Sequence, residues 1–174
     1  MLVSKLGPAP FEIGALMSKL SHVDEAGRLN MVDVSDKDSN LRVAQAAGEL
    51  RCRPETLEAI ELGKVRKGDV VAAAEIAGVM AAKRTAELIP LCHPLPLSKV
   101  TVRVDPDPEL PGFRVSAEVR GIARTGFEME ALTAVTLAAL TLFDMLKAVD
   151  RTMVINRIEV VSKSGGRSSD WHRE

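Results

Sequence analysis

The residue pair in this sequence that is best placed for proton transfer is Asp144 and Lys147. They stand three positions apart in an otherwise apolar segment, LAALTLFDMLKAV, so a helix would put both side chains on the same side. A carboxylate and an ammonium that are held together shift each other's proton affinity. The pair is therefore a candidate for acid–base chemistry, whereas a surface ion pair of little energetic value would have the same spacing.

Two further segments have cations beside flexible or helix-starting backbone. Three cations precede Gly68 and Asp69, where the free N–H groups of a predicted helix start favour an anion and Lys67 could supply charge. The sequence KSGGRS, from Lys163 to Ser168, could wrap a phosphate with backbone N–H groups, although it is not a P-loop. A solvated loop and a flexible basic tail are the structural alternatives. Together the segments favour an anionic small molecule, most naturally a phosphorylated one.

A rigid histidine is predicted in the segment from Ile89 to Leu97, IPLCHPLPL. Its three prolines hold the chain extended and would display His93 at a fixed position. Such a histidine suits substrate binding or proton transfer near neutral pH, and a partly buried histidine in a connecting loop is the alternative. Sequence adjacency does not make Cys92 and His93 a nucleophile–base pair. Two cysteines and three scattered histidines predict no metal site.

Glu128 and Glu130 begin the longest predicted helix, where carboxylates are favoured by the helix dipole in any protein. At a rise of ~1.5 Å per residue, Glu130 and Asp144 would be about 21 Å apart along the helix axis. They cannot both touch one reacting atom from the same helix. Either they have different tasks or neighbouring subunits complete one site.

The elements that must position these residues follow from hydrophobic periodicity and from turn formers. From Asp69 onwards their order is α-β-β-α-β, which predicts an α+β fold with a ferredoxin-like split βαβ arrangement, in which two long helices pack on one face of an antiparallel sheet. The predicted elements are a turn at Ala26-Gly27, short strands at Met31 to Val34 and Glu49 to Arg53, a helix from Pro54 to Leu62, a helix from Asp69 to about Leu88, a hairpin of Ser98 to Val104 with Phe113 to Val119, a helix from Gly126 to Asp150, a strand from Val154 to Val161, and a polar tail from Lys163.

Composition excludes several classes of protein. From the length and organisation of the 174-residue sequence we predict an N-terminal extension over residues 1–20 and a single domain over residues 21–174. A net charge of −1 argues against a general nucleic-acid clamp, and 3% aromatic residues without any Tyr supply no base-stacking platform. The uncharged run from Ala131 to Phe143 is too short to span a membrane, and the N-terminus is a poor signal peptide. A cytoplasmic protein is expected.

Four long segments resemble the molybdenum cofactor biosynthesis protein C family, and the resemblance extends from about His22 to Asp170. It implies a ferredoxin-like fold assembled as a homo-hexamer, a trimer of dimers with sites shared between subunits. It also implies a lyase, the cyclic pyranopterin monophosphate synthase, which converts 3′,8-cyclo-7,8-dihydroguanosine 5′-triphosphate to cyclic pyranopterin monophosphate and pyrophosphate. The segments are KGDVVAAAEIAGVMAAKRT from Lys67, LIPLCHPL from Leu88, TGFEMEALTAVTLAALTLFDMLKAV from Thr125, and KSGGRS from Lys163.

The resemblance also implies roles for individual residues. Lys67, Asp144 and Lys147 match an acid–base group, and Arg42 and Lys163 match basic positions that would hold phosphates. No cofactor is required by the sequence, which leaves open whether Mg²⁺ assists the triphosphate. The alternative function is a non-catalytic module that binds the nucleotide triphosphate and leaves it unchanged. The residues that match substrate-binding segments are Leu91, Cys92, His93, Met129 and Glu130, with Glu128 beside them.

Overall fold

The computed structural model describes residues 22–24, 26–63, 69–166 and 170–174. The chain divides into two compact units, Met1–Asp33 and Val34–Glu174, and the predicted extension over residues 1–20 lies outside the described residues. In the first unit the predicted turn is confirmed, with Gly27 at a φ of +78° and its N–H donating to the Asp24 carbonyl at 2.9 Å. The predicted strand from Met31 to Val34 is wrong: the segment joins none of the sheet's ladders, and a strand needs a partner.

In the part of the chain that the structure describes, the second unit is built on one five-stranded antiparallel sheet. Its strand order, β2-β3-β1-β4-β5, makes each of the two βαβ halves skip one strand, which is the predicted ferredoxin-like arrangement. The predicted hairpin is confirmed, since β2 pairs with β3 from Lys99↔Arg120 to Asp107↔Gly112. The strands are β1 (Asn40–Arg51), β2 (Lys99–Asp107), β3 (Gly112–Ala123), β4 (Val154–Ser164) and β5 (Trp171–His172).

Among the described residues four helices accompany the sheet, and the two long ones, α2 (Val70–Ala82) and α4 (Glu128–Leu146), pack on the same face as predicted. Asp69 caps α2 by accepting a hydrogen bond from the Ala72 N–H at 2.9 Å. The helix predicted to reach Leu88 instead breaks after Ala82, because Arg84 leaves the helical conformation and its N–H donates to the Ala81 carbonyl, only three residues earlier, at 2.9 Å. The helices are α1 (Pro54–Glu61), α2 (Val70–Ala82), α3 (Thr85–Leu88) and α4 (Glu128–Leu146).

The central strand β1 is much longer than the predicted strand from Glu49 to Arg53. Its inward positions hold three small residues, one arginine and, at the end, one leucine, so the apolar alternation of a strand is hidden in the sequence. Small inward residues let α4 approach closely: a Cβ added at Gly48 would lie only 2.7 Å from Cγ1 of Val135. The strand therefore depends on packing against α4 that periodicity alone does not reveal. Its inward residues are Arg42, Ala44, Ala46, Gly48 and Leu50.

The helix α4 is the core element of this unit. It has 19 residues and is long and apolar enough to cross a membrane by length and composition alone. Its inner side, however, is buried against the sheet, with Ala134, Ala138 and Leu142 fully inaccessible. This inner side of α4 is part of the hydrophobic core from Ala131 to Leu146.

Candidate active site

A cationic cavity lies at the N-terminal end of α4, where β1 begins and β3 and β4 end. It has a volume of about 330 Å³, and four cations and one carboxylate are among its lining residues. Because clustered cations attract phosphate oxygens, this cavity is suited to an anion, and the segment that begins at Lys163 is the predicted one that lines it. The lining residues are Lys37, Arg42, Val43, Arg124, Thr125, Gly126, Glu128, Lys163, Ser164 and Gly165.

The guanidinium of Arg42 is fixed in the wall of this cavity. Its Nε donates to the carbonyl of Ala123 at 2.8 Å and its Nη2 donates to the carbonyl of Arg124 at 3.1 Å, and the residue is 9% exposed. A Cβ added at Gly166 would lie 2.1 Å from Nη1, so the backbone there packs directly on the guanidinium. The charge of Arg42 is therefore held in one position before any ligand arrives.

Lys163 and Glu128 form an ion pair across the same cavity. Their Nζ and Oε1 atoms are 3.2 Å apart, and both side chains are partly exposed. The pair joins the end of β4 to the start of α4, so it brings two predicted substrate-binding residues together over a long sequence separation. An incoming anion would compete with Glu128 for Lys163.

Glu130 and Cys92 form a second, buried part of the site. Glu130 is 2% exposed; its Oε1 accepts a hydrogen bond from the Cys92 thiol at 3.9 Å, and its Oε2 has no hydrogen-bond partner among the described residues. Burial raises the pKa of Glu130 to about 7; its own backbone N–H and the Cys92 thiol oppose this shift, whereas the negative charge of Glu128 adds to it. Glu130 can therefore gain or lose a proton near neutral pH.

The loop between α3 and β2 supplies the remaining predicted binding residues. Leu91, Cys92 and His93 are each half-buried, and the contact between Cys92 and Glu130 brings this loop against the start of α4. Burial and the nearby Glu130 carboxylate raise the pKa of the Cys92 thiol, so it stays protonated at neutral pH. Met129 is partly exposed between Glu128 and Glu130. The structure thus groups these predicted residues around one helix end.

Asp144 and Lys147 lie at the other end of α4 and are in direct contact as an ion pair. Their side chains are 61% and 55% exposed respectively, so both groups can be reached from outside. Beside them lies a shallow cavity of about 500 Å³ lined by Phe143, Lys147, Ala148 and Arg151. The prediction that both side chains lie on the same side of a helix is confirmed. The acid–base role of the pair stays a prediction.

One chain does not bring all the predicted residues together. Asp144 and Lys147 are separated by most of α4 from the group around Glu128 and Glu130, about 21 Å along the axis. The third member of the predicted acid–base group, Lys67, lies outside the described residues. Within the part of the chain that the structure describes, no group of three or more His, Cys, Asp or Glu side chains could hold a metal ion.

Lys37 and Arg124 are two cavity cations that were not predicted from the sequence. Each lies just outside a strand, Lys37 before β1 and Arg124 after β3. The sequence signal for both residues was a cation at the end of a strand. For Lys37 this signal could be used only if the start of β1 had been recognised.

A third residue that was not predicted, Asp150, anchors the end of α4. It is fully buried; Oδ2 accepts hydrogen bonds from the Arg53 N–H at 2.9 Å and the Thr56 hydroxyl at 3.2 Å, and Oδ1 accepts two from Thr152. Burial alone would raise the pKa of this carboxyl, but the hydrogen bonds from Arg53 and Thr152 outweigh it and hold the pKa well below its usual range. This ionised group joins the start of α1 to the segment that carries Asp144 and Lys147.

Comparison with known proteins gives consistent results along the chain. The family model described as "MoaC family" matches residues 31–166. A protein from a Nostoc species is 56% identical over 163 residues, which are 94% of this chain and 96% of that protein. A relative from Thermomicrobium roseum is 56% identical over 158 residues, which are 91% of this chain and 95% of that protein. A relative from Brucella ovis is 56% identical over 156 residues, which are 90% of this chain and 94% of that protein. All three relatives are named cyclic pyranopterin monophosphate synthase.

Proposed function

This chain belongs to the MoaC family, and we therefore propose that it is a cyclic pyranopterin monophosphate synthase of molybdenum cofactor biosynthesis. It would convert 3′,8-cyclo-7,8-dihydroguanosine 5′-triphosphate to cyclic pyranopterin monophosphate and release pyrophosphate, in the cytoplasm. The observation that supports this most is the 56% identity to relatives of that name over at least nine-tenths of the chain. The cationic cavity at the start of α4 supports the proposal, since it would bind the triphosphate.

The triphosphate is the part of the substrate that fits the cationic cavity. Arg42, already fixed by two carbonyls, would offer its remaining N–H groups, and Lys163 would exchange Glu128 for a phosphate oxygen. Lys37 and Arg124 add charge at the rim. Because these cations are in place beforehand, they would stabilise the charge that develops on the departing pyrophosphate. Mg²⁺ could enter with the triphosphate, since phosphate oxygens are among its usual ligands.

The substrate-binding group at the same helix end would contact a further part of the substrate. The loop that carries Leu91, Cys92 and His93 contacts the start of α4 through the hydrogen bond between Cys92 and Glu130. Glu130 offers an oxygen with no hydrogen-bond partner among the described residues, so a donor on the substrate would satisfy it. We assign these residues to binding rather than to bond making.

Asp144, Lys147 and Lys67 would carry out the proton transfers. Closing the cyclic phosphate forms a bond between a substrate hydroxyl oxygen and the α-phosphorus and breaks the bond to pyrophosphate, so the hydroxyl proton must be accepted. Rearranging the purine into a pterin requires further proton transfers at carbon and nitrogen. An exposed carboxylate in contact with an ammonium supplies both an acceptor and a donor in one place.

Two copies of the chain are needed to unite these groups. The outer face of α4 between its ends has no charged residue from Ala131 to Phe143, and Leu140 there is 50% exposed. On the neighbouring α2, Ile76 and Met80 are exposed as well. An uncharged apolar face of this kind is typical of a subunit interface. We assign a second copy of this chain as its partner.

A two-fold axis near the middle of α4 would complete the site. Glu130 and Asp144 are equally far from Leu137, so an antiparallel pair of α4 helices brings Asp144 of the partner subunit to the helix end that carries Glu130. Each dimer would then contain two complete sites. Three such dimers would form the homo-hexamer expected from the family resemblance.

The function is tested by supplying the cyclic dihydroguanosine triphosphate and analysing the products by mass. We expect a pyranopterin monophosphate and pyrophosphate in equal amounts. Binding of the triphosphate without release of pyrophosphate would contradict the proposal and favour a non-catalytic nucleotide-binding module. GTP as a parallel substrate controls for unspecific hydrolysis, which would release phosphate without forming a pterin.

A further inference from the structure

The last described residues return along the sheet and put a tryptophan beside the cationic cavity. Trp171 is the only tryptophan in the sequence, and in β5 it lies directly opposite Lys163 of β4. Residues directly opposite in an antiparallel pair point to the same face of the sheet. The indole therefore lies on the face where Lys163 meets Glu128. Residues 170–174 lie beyond the part of the chain that the family model matches.

Contacts on both sides of Trp171 hold this segment in place. Before it, Asp170 Oδ1 accepts a hydrogen bond from the Gly165 N–H at 3.1 Å. After it, the Arg173 N–H donates to the carbonyl of Val161 at 2.8 Å, and Nε donates to the carbonyl of Val160 at 2.9 Å. The Arg173 guanidinium lies 5.6 Å from the centre of the indole ring, within the range of a cation–π contact. The orientation of the ring is thus defined.

The indole lines a cavity that adjoins the cationic cavity. This second cavity has a volume of about 340 Å³ and is lined by Glu128, Val160, Lys163 and Trp171. Glu128 and Lys163 also line the first cavity, so one ion pair separates the two. The first is rich in cations, whereas the second presents a flat aromatic face and an aliphatic side chain. Trp171 is 40% exposed, so part of its side chain is accessible from this cavity.

We propose that Trp171 is a wall of the substrate site against which the substrate's heterocycle stacks. With the phosphates in the cationic cavity, the flat ring system would lie in the adjoining one, since an indole face gains by covering another planar ring and gains little from a hydrated phosphate. The Glu128 carboxylate would accept hydrogen bonds from the ring's N–H groups once a phosphate has drawn Lys163 away. The identity of the ligand rests on the proposed function.

Fluorescence tests the stacking on Trp171 directly, because the single tryptophan reports only on its own surroundings. The probes are GTP, which has the heterocycle and the triphosphate, and inorganic triphosphate, which has only the charges. We expect saturable quenching of Trp171 by GTP and little change with inorganic triphosphate. Equal changes with both probes, or no change with GTP, would overturn the inference.

Kinetics of three variants give an independent test. Trp171→Ala should raise KM for the cyclic triphosphate by roughly tenfold with kcat within about twofold, and Trp171→Phe should restore most of the affinity. His172→Ala is the matched control, since its side chain lies on the opposite face of β5, and it should behave as the wild type.

Two outcomes would overturn the inference while leaving the proposed function intact. One is turnover by the wild type together with an unchanged KM in Trp171→Ala. The other is loss of assembly by Trp171→Ala in light scattering, which would assign the indole to a subunit contact. If instead the wild type forms no pterin, the proposed function fails, and quenching by GTP still decides whether a heterocycle reaches Trp171.

Discussion

Glu130 and Asp144 stand at opposite ends of one helix, about 21 Å apart along its axis, and belong to different halves of the proposed site. Glu130 is buried among the binding residues, whereas Asp144 is exposed in an ion pair with Lys147. A rigid helix cannot shorten this separation. The proposed chemistry therefore requires that the two halves of one site come from different chains.

Replacing either member of the Asp144–Lys147 pair should abolish turnover and leave the fold intact. Both side chains are more than half exposed, and such pairs contribute at most about 1 kcal/mol to stability. For Asp144→Asn and Lys147→Met we expect turnover to fall at least about 100-fold while the thermal midpoint shifts little. The matched control is Glu87→Gln, which breaks an equally exposed i,i+3 pair with Arg84 and should keep turnover. Near-normal turnover in both variants would remove Asp144 and Lys147 from the mechanism.

The burial of Glu130 should make stability depend on pH in a definite direction. With a pKa of about 7 in the folded chain and an ordinary value of 4.5, the native state binds the extra proton between these limits. Stability from this group is therefore fully present below about pH 4.5 and is lost as the pH rises to about 7. The protonation of Glu130 contributes about 3 kcal/mol at most to the free energy of unfolding.

Denaturant unfolding of the wild type and of Glu130→Gln measures this effect. The variant mimics the protonated form, so the wild type should lose stability relative to it between about pH 5 and pH 7.5. Titrations that both proteins share cancel in the difference. A difference that stays constant over this range would show that Glu130 is ionised throughout.

Asp150 should matter for stability far more than an exposed aspartate. Asp150→Ala leaves the donors of Arg53, Thr56 and Thr152 without their buried acceptor, and we expect a loss of about 3–5 kcal/mol in the free energy of unfolding. The matched control is Asp105→Ala on the exposed face of β2, which should cost no more than about 0.5 kcal/mol. Similar losses in the two variants would contradict the anchoring role of Asp150.

A charge in the middle of the outer face of α4 should disrupt the proposed dimer. For Leu140→Lys we expect a lower mass in light scattering together with a loss of turnover, because Asp144 of the partner subunit could no longer reach the binding residues. Val154→Lys introduces the same charge at a comparably exposed position in β4 and should change neither. An assembled and active Leu140→Lys protein would exclude this face as the interface.

The parts of the fold that were predictable have strong local patterns. The hairpin alternates valines with polar residues, and α4 is long and rich in Ala and Leu, so both stand out in the sequence. The strand β1 has Arg42, Ala44 and Gly48 at inward positions, and β5 has only two residues. Neither strand shows apolar alternation in its sequence. Close packing on α4 determines β1 instead, and pairing with β4 determines β5.

In the candidate site, too, contacts between residues close in the sequence were predictable, whereas contacts between distant residues were not. The contact between Asp144 and Lys147 follows from their spacing on a helix, and it was predicted. The group of Arg42, Glu128 and Lys163 depends on the strand order, which places β1 beside β4 and brings both to the start of α4. For those residues the family resemblance supplied the prediction, since residue spacing alone does not identify distant partners.

The most direct test of a site built from two chains is to mix two inactive variants. Asp144→Asn lacks the acid–base half and Lys163→Ala lacks the phosphate half, and each is dissociated, reassociated and assayed alone as a control. When equal amounts are reassociated together, half of the dimers should be mixed, and each mixed dimer should have one intact site. Turnover should then recover to about a quarter of the wild-type value. If the mixture stays as inactive as its components, both halves of the site belong to a single chain.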